Sequence, residues 1–435
     1  MGYVIIGNSV AAVGAVEAIR KNDKKGEITI ISSEPYFVYS RPLISDFLAG
    51  RVKEDEMFYR PKDFYKKNKV KTILGKKATA LDTKQRKVIL EDKKEISYSK
   101  LLIAVGGVPF IPEIKGLDRD GVFTFTALDD AKKIKEYVQR VKRVVIIGGG
   151  LIGLKAAESL EELGIRVTVV ELMDRVLSAV LDKKSSQIIQ KHIIEAGIDI
   201  ITNNTVKEII GRDSLISGVI LKDEKKMDCE MVLVAIGVVP NLELVRKTKI
   251  KVNRGILVNE KMETNIPGIF AAGDVVEAYD LIYQARRLTP IWPDAYRQGS
   301  IAGYNMSGIE KRHEGSLLMN AIEFYSLPFT SVGLIEPNSK FNPVSSTGQN
   351  SKSRKGKEYT TLTKFNAKQK TYKKIVLKEN VIVGAIFVGA IEKAGVITGL
   401  IKDKTNVKNF KEELLEDNFG LISFPKELRK EKLRA

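Results

Sequence analysis

Two turns of small residues in this chain have the form of a dinucleotide-binding site. One follows the apolar run Tyr3–Ile6 and the other follows Val144–Ile147. Each pattern predicts a strand, a tight turn and then a helix whose N-terminal N–H groups point at a pyrophosphate. The turn residues are Gly7, Ser9 and Ala12 in the first site and Gly148, Gly150, Leu151, Ile152 and Gly153 in the second. A single such turn also occurs without a nucleotide, but two in one chain indicate two dinucleotides that exchange electrons.

A glutamate closes the strand that follows each turn. Glu34 ends the first of these strands and Glu171 ends the second. Both lie close to the roughly 20 residues beyond the turn at which an acid accepts from a ribose hydroxyl. A solvated acid at a strand end is the alternative, but the presence of both turns favours the ribose role. In the first turn Ser9 and Ala12 replace two glycines, and their small size still allows close backbone approach.

Composition limits the class of protein. The chain has 435 residues, of which 43% are hydrophobic, so it is long enough for several domains with full cores. No apolar run approaches the ~18–20 residues of a membrane helix, and a strand at the N-terminus leaves no room for a signal peptide. The single cysteine, Cys229, excludes an internal disulfide and is expected to be a buried packing residue. A reducing cytoplasm is therefore the expected location.

The excess of positive charge is concentrated in one segment. The formal net charge is +18, and ten basic residues but only one acid lie between Lys340 and Lys374. This segment is either a solvated surface or a docking face for an acidic partner.

Four motifs together resemble one family, the pyridine nucleotide–disulfide oxidoreductases. They are the two turns, the segment Ala235–Asn241 and the late Ala272–Asp274. The resemblance implies an α/β fold with two Rossmann-like domains, one for FAD and one for NAD(H), and a C-terminal α+β interface domain. We expect the FAD domain at residues 1–117 and 251–318, the NAD(H) domain at 118–250 and the interface domain at 319–435. The last resembles that of rubredoxin reductases and nitrite reductase large subunits.

The resemblance also implies roles for residues away from the turns. Gly273 and Asp274 correspond to the segment that binds the ribityl chain of FAD. The crossover between the two units corresponds to Ala104, Val105 and Gly106, and Gly237 lies in the NAD-side segment. Trp292 precedes Pro293 at an expected helix start, where N–H groups could face the flavin. For the Trp292 side chain itself, packing is the better interpretation.

The disulfide branch of the family is excluded. The segment Tyr39–Gly50 resembles the one that holds the redox cysteine in NADH oxidases and coenzyme A disulfide reductases, and Pro42 occupies the cysteine's place. Without a thiol beside the flavin, no mixed disulfide can form there. Arg41 and Pro42 instead resemble the ferredoxin-reductase and rubredoxin-reductase branch, whose members release electrons singly. Arg41 is also a candidate to offset FAD phosphate charge or to lie near the flavin ring.

Two charged residues are candidates to tune the flavin. In some relatives a lysine and a glutamate approach flavin N5, and the matching positions here are Asp46 and Lys155. The charges are exchanged, so a reversed ion pair is the sharper hypothesis and two solvated side chains the alternative. No protein acid or base is required, because the cofactor carries the chemistry. Neither histidine, His192 or His313, is predicted to be more than a surface or packing residue, and no metal site is predicted.

Three functions fit these patterns. The leading one is an NADH:acceptor oxidoreductase that reduces an acidic iron–sulfur or rubredoxin-like carrier. The second is an NADH oxidase that, lacking the cysteine, makes peroxide or superoxide from dioxygen. The third is a redox-gated FAD/NAD-binding protein that uses its basic face. No nucleic-acid motif supports RNA or DNA as the partner, and a homodimer is compatible with the interface domain.

Overall fold

The computed structural model of the protein describes residues 2–337 and 359–432. Its first part contains a parallel sheet and a small antiparallel sheet. The elements are β1 (Gly2–Ile6), α1 (Val10–Asn22), β2 (Glu27–Ser32), α2 (Ile44–Ala49), α3 (Phe64–Lys67), β3 (Val70–Leu74), β4 (Ala78–Asp82), β5 (Lys87–Leu90), β6 (Glu95–Ser97), β7 (Lys100–Ile103), β8 (Gly107–Pro109) and β9 (Val122–Thr124).

The middle part repeats the plan of the first, again with a parallel and an antiparallel sheet. Helix α4 precedes the strand that leads into the second turn. The elements are α4 (Leu128–Tyr137), β10 (Arg143–Ile147), α5 (Leu151–Glu162), β11 (Arg166–Val170), α6 (Lys183–Glu195), β12 (Asp199–Ile201), β13 (Val206–Arg212), β14 (Leu215–Leu221), β15 (Lys226–Asp228), β16 (Met231–Val234) and β17 (Val238–Pro240).

The last part adds one strand to the first sheet and then forms a separate antiparallel sheet. The elements are β18 (Ile256–Leu257), β19 (Ile269–Ala271), β20 (Val276–Asp280), β21 (Ala285–Leu288), α7 (Trp292–Met306), β22 (Met319–Phe324), β23 (Leu327–Gly333), β24 (Tyr359–Asn366), β25 (Thr371–Lys378), β26 (Val381–Val388), α8 (Ala394–Lys402) and α9 (Lys426–Lys432).

The two parallel sheets determine where the two nucleotide-binding turns lie. The first has the strand order β19-β7-β1-β2-β3 and the second β12-β11-β10-β16-β9. Their central strands β1 and β10 are buried from the second residue to the last, as expected for strands covered on both faces. In each sheet the central strand leads directly into a turn and helix, so the carboxyl edge of the sheet carries the turn.

The chain returns to the first sheet late in its course. Strand β19 pairs with β7 in parallel, while β9, from before the second turn, pairs with β16 in the second sheet. A short antiparallel ladder, β8 with β17, joins the connecting segments. The predicted class, two Rossmann-like units and a C-terminal α+β unit, is confirmed, and the exact domain bounds stay predictions.

The C-terminal unit is an antiparallel sheet with the order β22-β23-β26-β25-β24. Helix α8 packs on β26, and Ile397, Leu400 and Phe387 lie in the core between them. The edge strand β22 faces the nucleotide-binding units, so this sheet also lines the site described below. Among the described residues, no helix is long and apolar enough to cross a membrane.

Candidate functional site

The first turn is shaped by a glycine that no other residue could replace. Gly7 has φ +111°, and a Cβ atom there would collide with the carbonyl oxygen of Ala104. Its N–H donates to Ile31 O over 2.8 Å, which fixes the turn against the neighbouring strand. Ser9 is the N-cap of α1, and its side chain makes no capping hydrogen bond. The first N–H groups of α1 are therefore available to an anionic ligand.

The second turn uses its glycines in the same way. Gly148 has φ +109°, and a Cβ on Gly153 would collide with the carbonyl oxygen of Gly148. The helix α5 can therefore approach the turn closely only because Gly153 lacks a side chain. Gly150 is the N-cap of α5, and a Cβ there would meet no protein atom within 4 Å. The space in front of this helix is thus open to a ligand.

Both turns open into one continuous cavity of about 1820 Å³. All of the predicted site residues line it except Ala12 and Gly153, which pack beneath their turns. Strand β22 contributes Asn320 and Ile322 to the wall. Sequence patterns missed these two residues, because nothing local links an edge strand of the third unit to the nucleotide turns. Two dinucleotides bound at the two turns would meet inside this cavity.

Glu34, just beyond the end of β2, forms an ion pair with Arg41. Arg41 Nη2 donates to Glu34 Oε1 over 2.7 Å, and Arg41 Nη1 donates to Thr126 O over 2.8 Å. The arginine therefore orients the Glu34 carboxylate through Oε1, and the second carboxylate oxygen takes no part in this ion pair. It links the first unit to the segment leading into the second, and its predicted role towards FAD stays a prediction.

Glu171 is held at the second turn. Its Oε2 accepts from Gly149 N over 2.6 Å, and its Oε1 accepts from Met173 N over 2.7 Å. A carboxylate has about four acceptor sites, so these two bonds leave capacity for a ribose hydroxyl. The sequence identified Glu171 by spacing, and the structure adds the two backbone donors that orient it.

The predicted ribityl ligand, Asp274, lies in a desolvated part of the cavity. Burial raises its pKa to about 6, and the positive charge of Arg41 opposes this shift. No hydrogen bond of the Asp274 carboxylate is found among the described residues. A partly buried acceptor without a partner fits a ligand that brings hydroxyl groups.

The helix α7 begins at Trp292, as predicted, with Pro293 in its first turn. Trp292 lines the cavity and packs edge-on against Tyr59, with ring centroids 5.3 Å apart. This agrees with a packing role for its side chain.

The first turn of α7 also holds a buried polar cluster that sequence patterns did not identify. Burial acts to raise the pKa of Asp294, but hydrogen bonds from His313 and Ser316 outweigh it and lower this pKa to about 2. His313 Nε2 lies 3.3 Å from Asp294 Oδ1. Gln298 Nε2 donates to the other Asp294 oxygen over 2.7 Å, and Gln298 Oε1 accepts from Gly273 N over 2.8 Å. The cluster thus fixes the backbone next to Asp274.

The structure corrects the hypothesis of a reversed ion pair between Asp46 and Lys155. Both side chains line the cavity, but each has a different partner. Arg51 lies 2.8 Å from Asp46 Oδ1, and Lys155 pairs with Glu158, one turn along α5. Both alternatives offered by the sequence, a direct pair and two solvated side chains, are replaced by two separate ion pairs. The tuning roles of Asp46 and Lys155 stay predictions.

The only thiol of the chain does not line the cavity. Cys229 is fully buried in the core between the second parallel sheet and the β13–β15 sheet. Burial raises the pKa of its thiol to about 12, so thiolate is scarce at neutral pH. Pro42 lines the cavity at the position where the disulfide branch has its cysteine. The described residues contain no group of three potential metal ligands.

The basic segment between Lys340 and Lys374 is described only from residue 359 onward. Four of its lysines in that part form ion pairs within the chain: Lys364 with Glu416, Lys370 with Glu195, Lys373 with Asp417 and Lys374 with Asp182. The side chains of Lys373 and Lys374 are only 7% and 11% exposed. This part of the segment therefore stabilises the fold. The remainder, including Lys352, Arg354, Lys355 and Lys357, lies outside the described residues.

These features define a class of protein: an oxidoreductase that brings two dinucleotides together in one cavity without a redox thiol. Family comparison agrees, since the model for pyridine nucleotide-disulphide oxidoreductases matches residues 1–299. The rubredoxin NAD+ reductase C-terminal domain matches residues 342–405. The chain belongs to the pyridine nucleotide-disulphide oxidoreductase family, and it is an FAD-dependent NAD(P)H oxidoreductase.

Individual relatives extend this result. An NADH oxidase of Methanocaldococcus jannaschii is 35% identical over 321 residues, covering 72% of this chain and 71% of that protein. A nitrite reductase (NAD(P)H) of Bacillus subtilis is 30% identical over 406 residues. This match covers 93% of this chain but 47% of the relative, so the chain spans about half of its length. The crystal structure of NADH:rubredoxin oxidoreductase from Clostridium acetobutylicum has a TM-score of 0.75 at 25% identity, covering 96% of this chain and 100% of that one.

Proposed function

We propose that the protein takes a hydride from NADH onto FAD and passes the electrons to a small acidic iron–sulfur or rubredoxin-type carrier. The observation that carries this proposal is the single cavity lined by both nucleotide turns and by Pro42 instead of a cysteine. When bound, the flavin supplies the chemistry, because it accepts a hydride and can return electrons one at a time. The protein has to bind, orient and shield the two nucleotides.

Different parts of the chain bind the pyrophosphates, the riboses and the ribityl chain. The N-termini of α1 and α5 bind the two pyrophosphates through backbone N–H groups. Glu34 and Glu171 accept from ribose hydroxyls, and each is oriented beforehand, by Arg41 or by two backbone donors. Asp274 accepts from the ribityl chain. Orientation before binding matters because it reduces the entropy lost when the two reacting rings are brought together.

A one-electron protein carrier is supported by the C-terminal unit and by charge. The match to the rubredoxin NAD+ reductase C-terminal domain and the likeness to a clostridial NADH:rubredoxin oxidoreductase both favour a rubredoxin-type acceptor. The formal net charge of +18 favours an acidic one, because long-range attraction increases the rate of encounter. A cytoplasmic location and a homodimer joined through the C-terminal unit belong to the same proposal.

Anaerobic stopped-flow kinetics tests the proposal. NADH should bleach the flavin rapidly, and an acidic rubredoxin or ferredoxin should then restore its absorbance much faster than air-saturated buffer does. A basic carrier such as cytochrome c is the control for charge. Rapid reoxidation by air together with slow reoxidation by every acidic carrier would contradict the proposal.

The same experiment examines a second candidate, an NADH oxidase that reduces dioxygen. The relative from Methanocaldococcus jannaschii that carries this name favours it. Without a thiol in the cavity, the reduction of dioxygen should stop at peroxide or superoxide. Product analysis with catalase and with superoxide dismutase separates these two products from water.

A further inference from the structure

The hairpin between β22 and β23 ends in an unusual turn. Its two central residues, Tyr325 and Ser326, both have left-handed backbones, with φ values of 46° and 64°. Turns of this type normally use Asn-Gly, because a side chain disfavours the left-handed region. Two non-glycine residues persist in it only when the surroundings hold them there.

The surroundings that hold Tyr325 belong to the NAD-binding unit. Its N–H donates to Glu158 Oε1 over 2.7 Å, and its hydroxyl donates to Glu161 Oε2 over 3.0 Å. Its carbonyl oxygen lies 3.1 Å from His192 Nε2. All three polar groups of one residue are thus bound by α5 and α6, and the hairpin is fixed on the second parallel-sheet unit.

Glu158 connects this hairpin to the nucleotide cavity. Its side chain is 6% exposed, and its Oε2 pairs with Lys155, whose side chain is 20% exposed and lines the cavity. The Lys155 ammonium also lies 3.5 Å from Glu323 O and 5.7 Å from the centre of the Phe324 ring. One carboxylate therefore receives the hairpin N–H on one oxygen and the cavity cation on the other.

Asp46, the other charged residue that the sequence singled out, has a partner of its own. Asp46 pairs with Arg51, which also pairs with Glu162 of α5. Lys155 therefore depends on Glu158, and not on Asp46, for its counter-charge and its position.

We propose that Glu158 is a positioning residue that holds the Lys155 ammonium in the wall of the nucleotide cavity and sets how strongly that cation favours the reduced flavin. The proposal rests on FAD binding in this cavity and deepens the proposed function by naming a determinant of flavin potential. A nearby cation stabilises the reduced flavin, which carries more negative charge, and a buried carboxylate beside the cation offsets that effect. The N–H of Tyr325 keeps the carboxylate in place, so the C-terminal unit contributes to the electrostatics of the flavin.

The test is the midpoint potential of the bound FAD, measured by reductive titration against a reference dye. Glu158→Gln keeps the shape and removes the charge, so the potential should rise. Lys155→Met removes the cation, so the potential should fall. At a fixed ambient potential, each change should alter the ratio of reduced to oxidised flavin by at least about tenfold. The two shifts must have opposite signs.

Two controls separate this role from a general effect on the fold. Glu161→Gln lies on the same helix and contacts the same hairpin through the Tyr325 hydroxyl, but it does not touch Lys155, so it should leave the potential unchanged. Tyr325→Phe removes only that hydroxyl and should behave likewise. Shifts of the same sign in Glu158→Gln and Lys155→Met, or an equal shift in Glu161→Gln, would overturn the proposal. The titration uses neither NADH nor a carrier, so a failure of the proposed electron acceptor cannot produce either result.

Discussion

Arg175 Nη2 lies 2.9 Å from Glu336 Oε2, and this ion pair ties the arginine of the NAD-binding loop to the C-terminal unit. Its Nη1 pairs with Asp174 over 2.9 Å, and the arginine side chain is only 12% exposed. In dinucleotide-binding units of this kind, an arginine near the acid that follows the second strand, here Glu171 after β11, can accommodate the 2′-phosphate of NADPH. Here that arginine is already engaged, while Glu171 faces the cavity.

The first prediction is a preference for NADH over NADPH. The Glu171 carboxylate should repel a 2′-phosphate, and Arg175 is not free to compensate. We expect kcat/KM for flavin reduction to be at least about tenfold higher with NADH, which corresponds to ~1.4 kcal/mol. Equal values for the two coenzymes would contradict both assignments.

The variant Glu336→Gln tests more directly whether the ion pair keeps Arg175 from binding a 2′-phosphate. It releases one partner of Arg175 without altering the cavity wall. Inhibition by 2′,5′-ADP should strengthen in this variant, and inhibition by 5′-AMP should not change. Adding Arg175→Gln should cancel the gain. If the single variant binds 2′,5′-ADP no better than the unmodified protein, Arg175 is too far from the ribose to matter.

The second prediction is that Cys229 takes no part in turnover. The thiol is fully buried with a pKa of about 12, so it can neither reach the flavin nor supply thiolate. Cys229→Ser should leave the rate of flavin reduction by NADH unchanged. A tenfold loss, equivalent to ~1.4 kcal/mol, in a variant that retains its FAD would show that the chemistry involves the thiol.

The third prediction is that the Asp274 carboxylate strengthens FAD binding but destabilises the apoprotein. Its pKa is raised from 3.8 to about 6 by burial. The protonated Asp274 carboxyl group therefore contributes to apoprotein stability fully below pH 3.8. This contribution is lost as the pH rises through about 6, because the folded state then holds a desolvated charge. Above pH 6, Asp274→Asn should therefore stabilise the apoprotein by about 2 kcal/mol, allowing for solvent in the cavity.

The same substitution should weaken FAD binding about tenfold or more, because hydrogen bonds to a charged acceptor contribute roughly 1.5–3 kcal/mol. Urea unfolding of the apoprotein at several pH values and fluorescence titration with FAD provide the two measurements. Asp63→Asn, an exposed acid paired with Lys67, is the matched control and should change neither result. Lower apoprotein stability at pH 8 in Asp274→Asn would mean that the carboxylate has a structural partner.

The fourth prediction is that Asp46 and Lys155 act independently. The sequence hypothesis of a reversed pair predicts that the double reversal, Asp46→Lys with Lys155→Glu, recovers part of the loss of each single change. Because the structure pairs Asp46 with Arg51 and Lys155 with Glu158, we expect additive effects on the rate of flavin reduction. The coupling energy of the cycle should stay below about 0.5 kcal/mol. A larger coupling would restore the direct pair.

The fifth prediction concerns the docking of the carrier. Because four of the five lysines described within the basic segment, all except Lys368, form ion pairs within the chain, docking should depend on Lys352, Arg354, Lys355 and Lys357. Their replacement by glutamine should slow carrier reduction and flatten its dependence on salt, which screens attraction over ~8 Å at 0.15 M. Flavin reduction by NADH should not change.

Lys364→Gln serves as the control, because Lys364 already pairs with Glu416. If carrier kinetics respond to neither salt nor the four replacements, the docking face lies elsewhere, and the flavin edge near Arg41 and Asp46 is the next surface to examine.

The sequence alone determined the parts of this protein that depend on local geometry. A strand, a turn of small residues and a helix follow one another within about a dozen residues, so Gly7 and Gly148 and the acids Glu34 and Glu171 could be recognised from spacing. Burial of Cys229 was predicted because an apolar strand follows it. The count of cysteines excluded an internal disulfide, and Pro42 in the place of the redox cysteine indicated that no thiol lies beside the flavin.

Tertiary structure decided which charges meet. Residues as far apart as Arg175 and Glu336, or Lys374 and Asp182, become partners only when the C-terminal sheet packs on the second unit. Lys155 has Glu158 as a neighbour on its own helix, and this local pair is formed in place of the pair with Asp46. Ion pairing depends on burial and on a few ångströms of distance, and neither quantity is encoded in the spacing of residues along the chain.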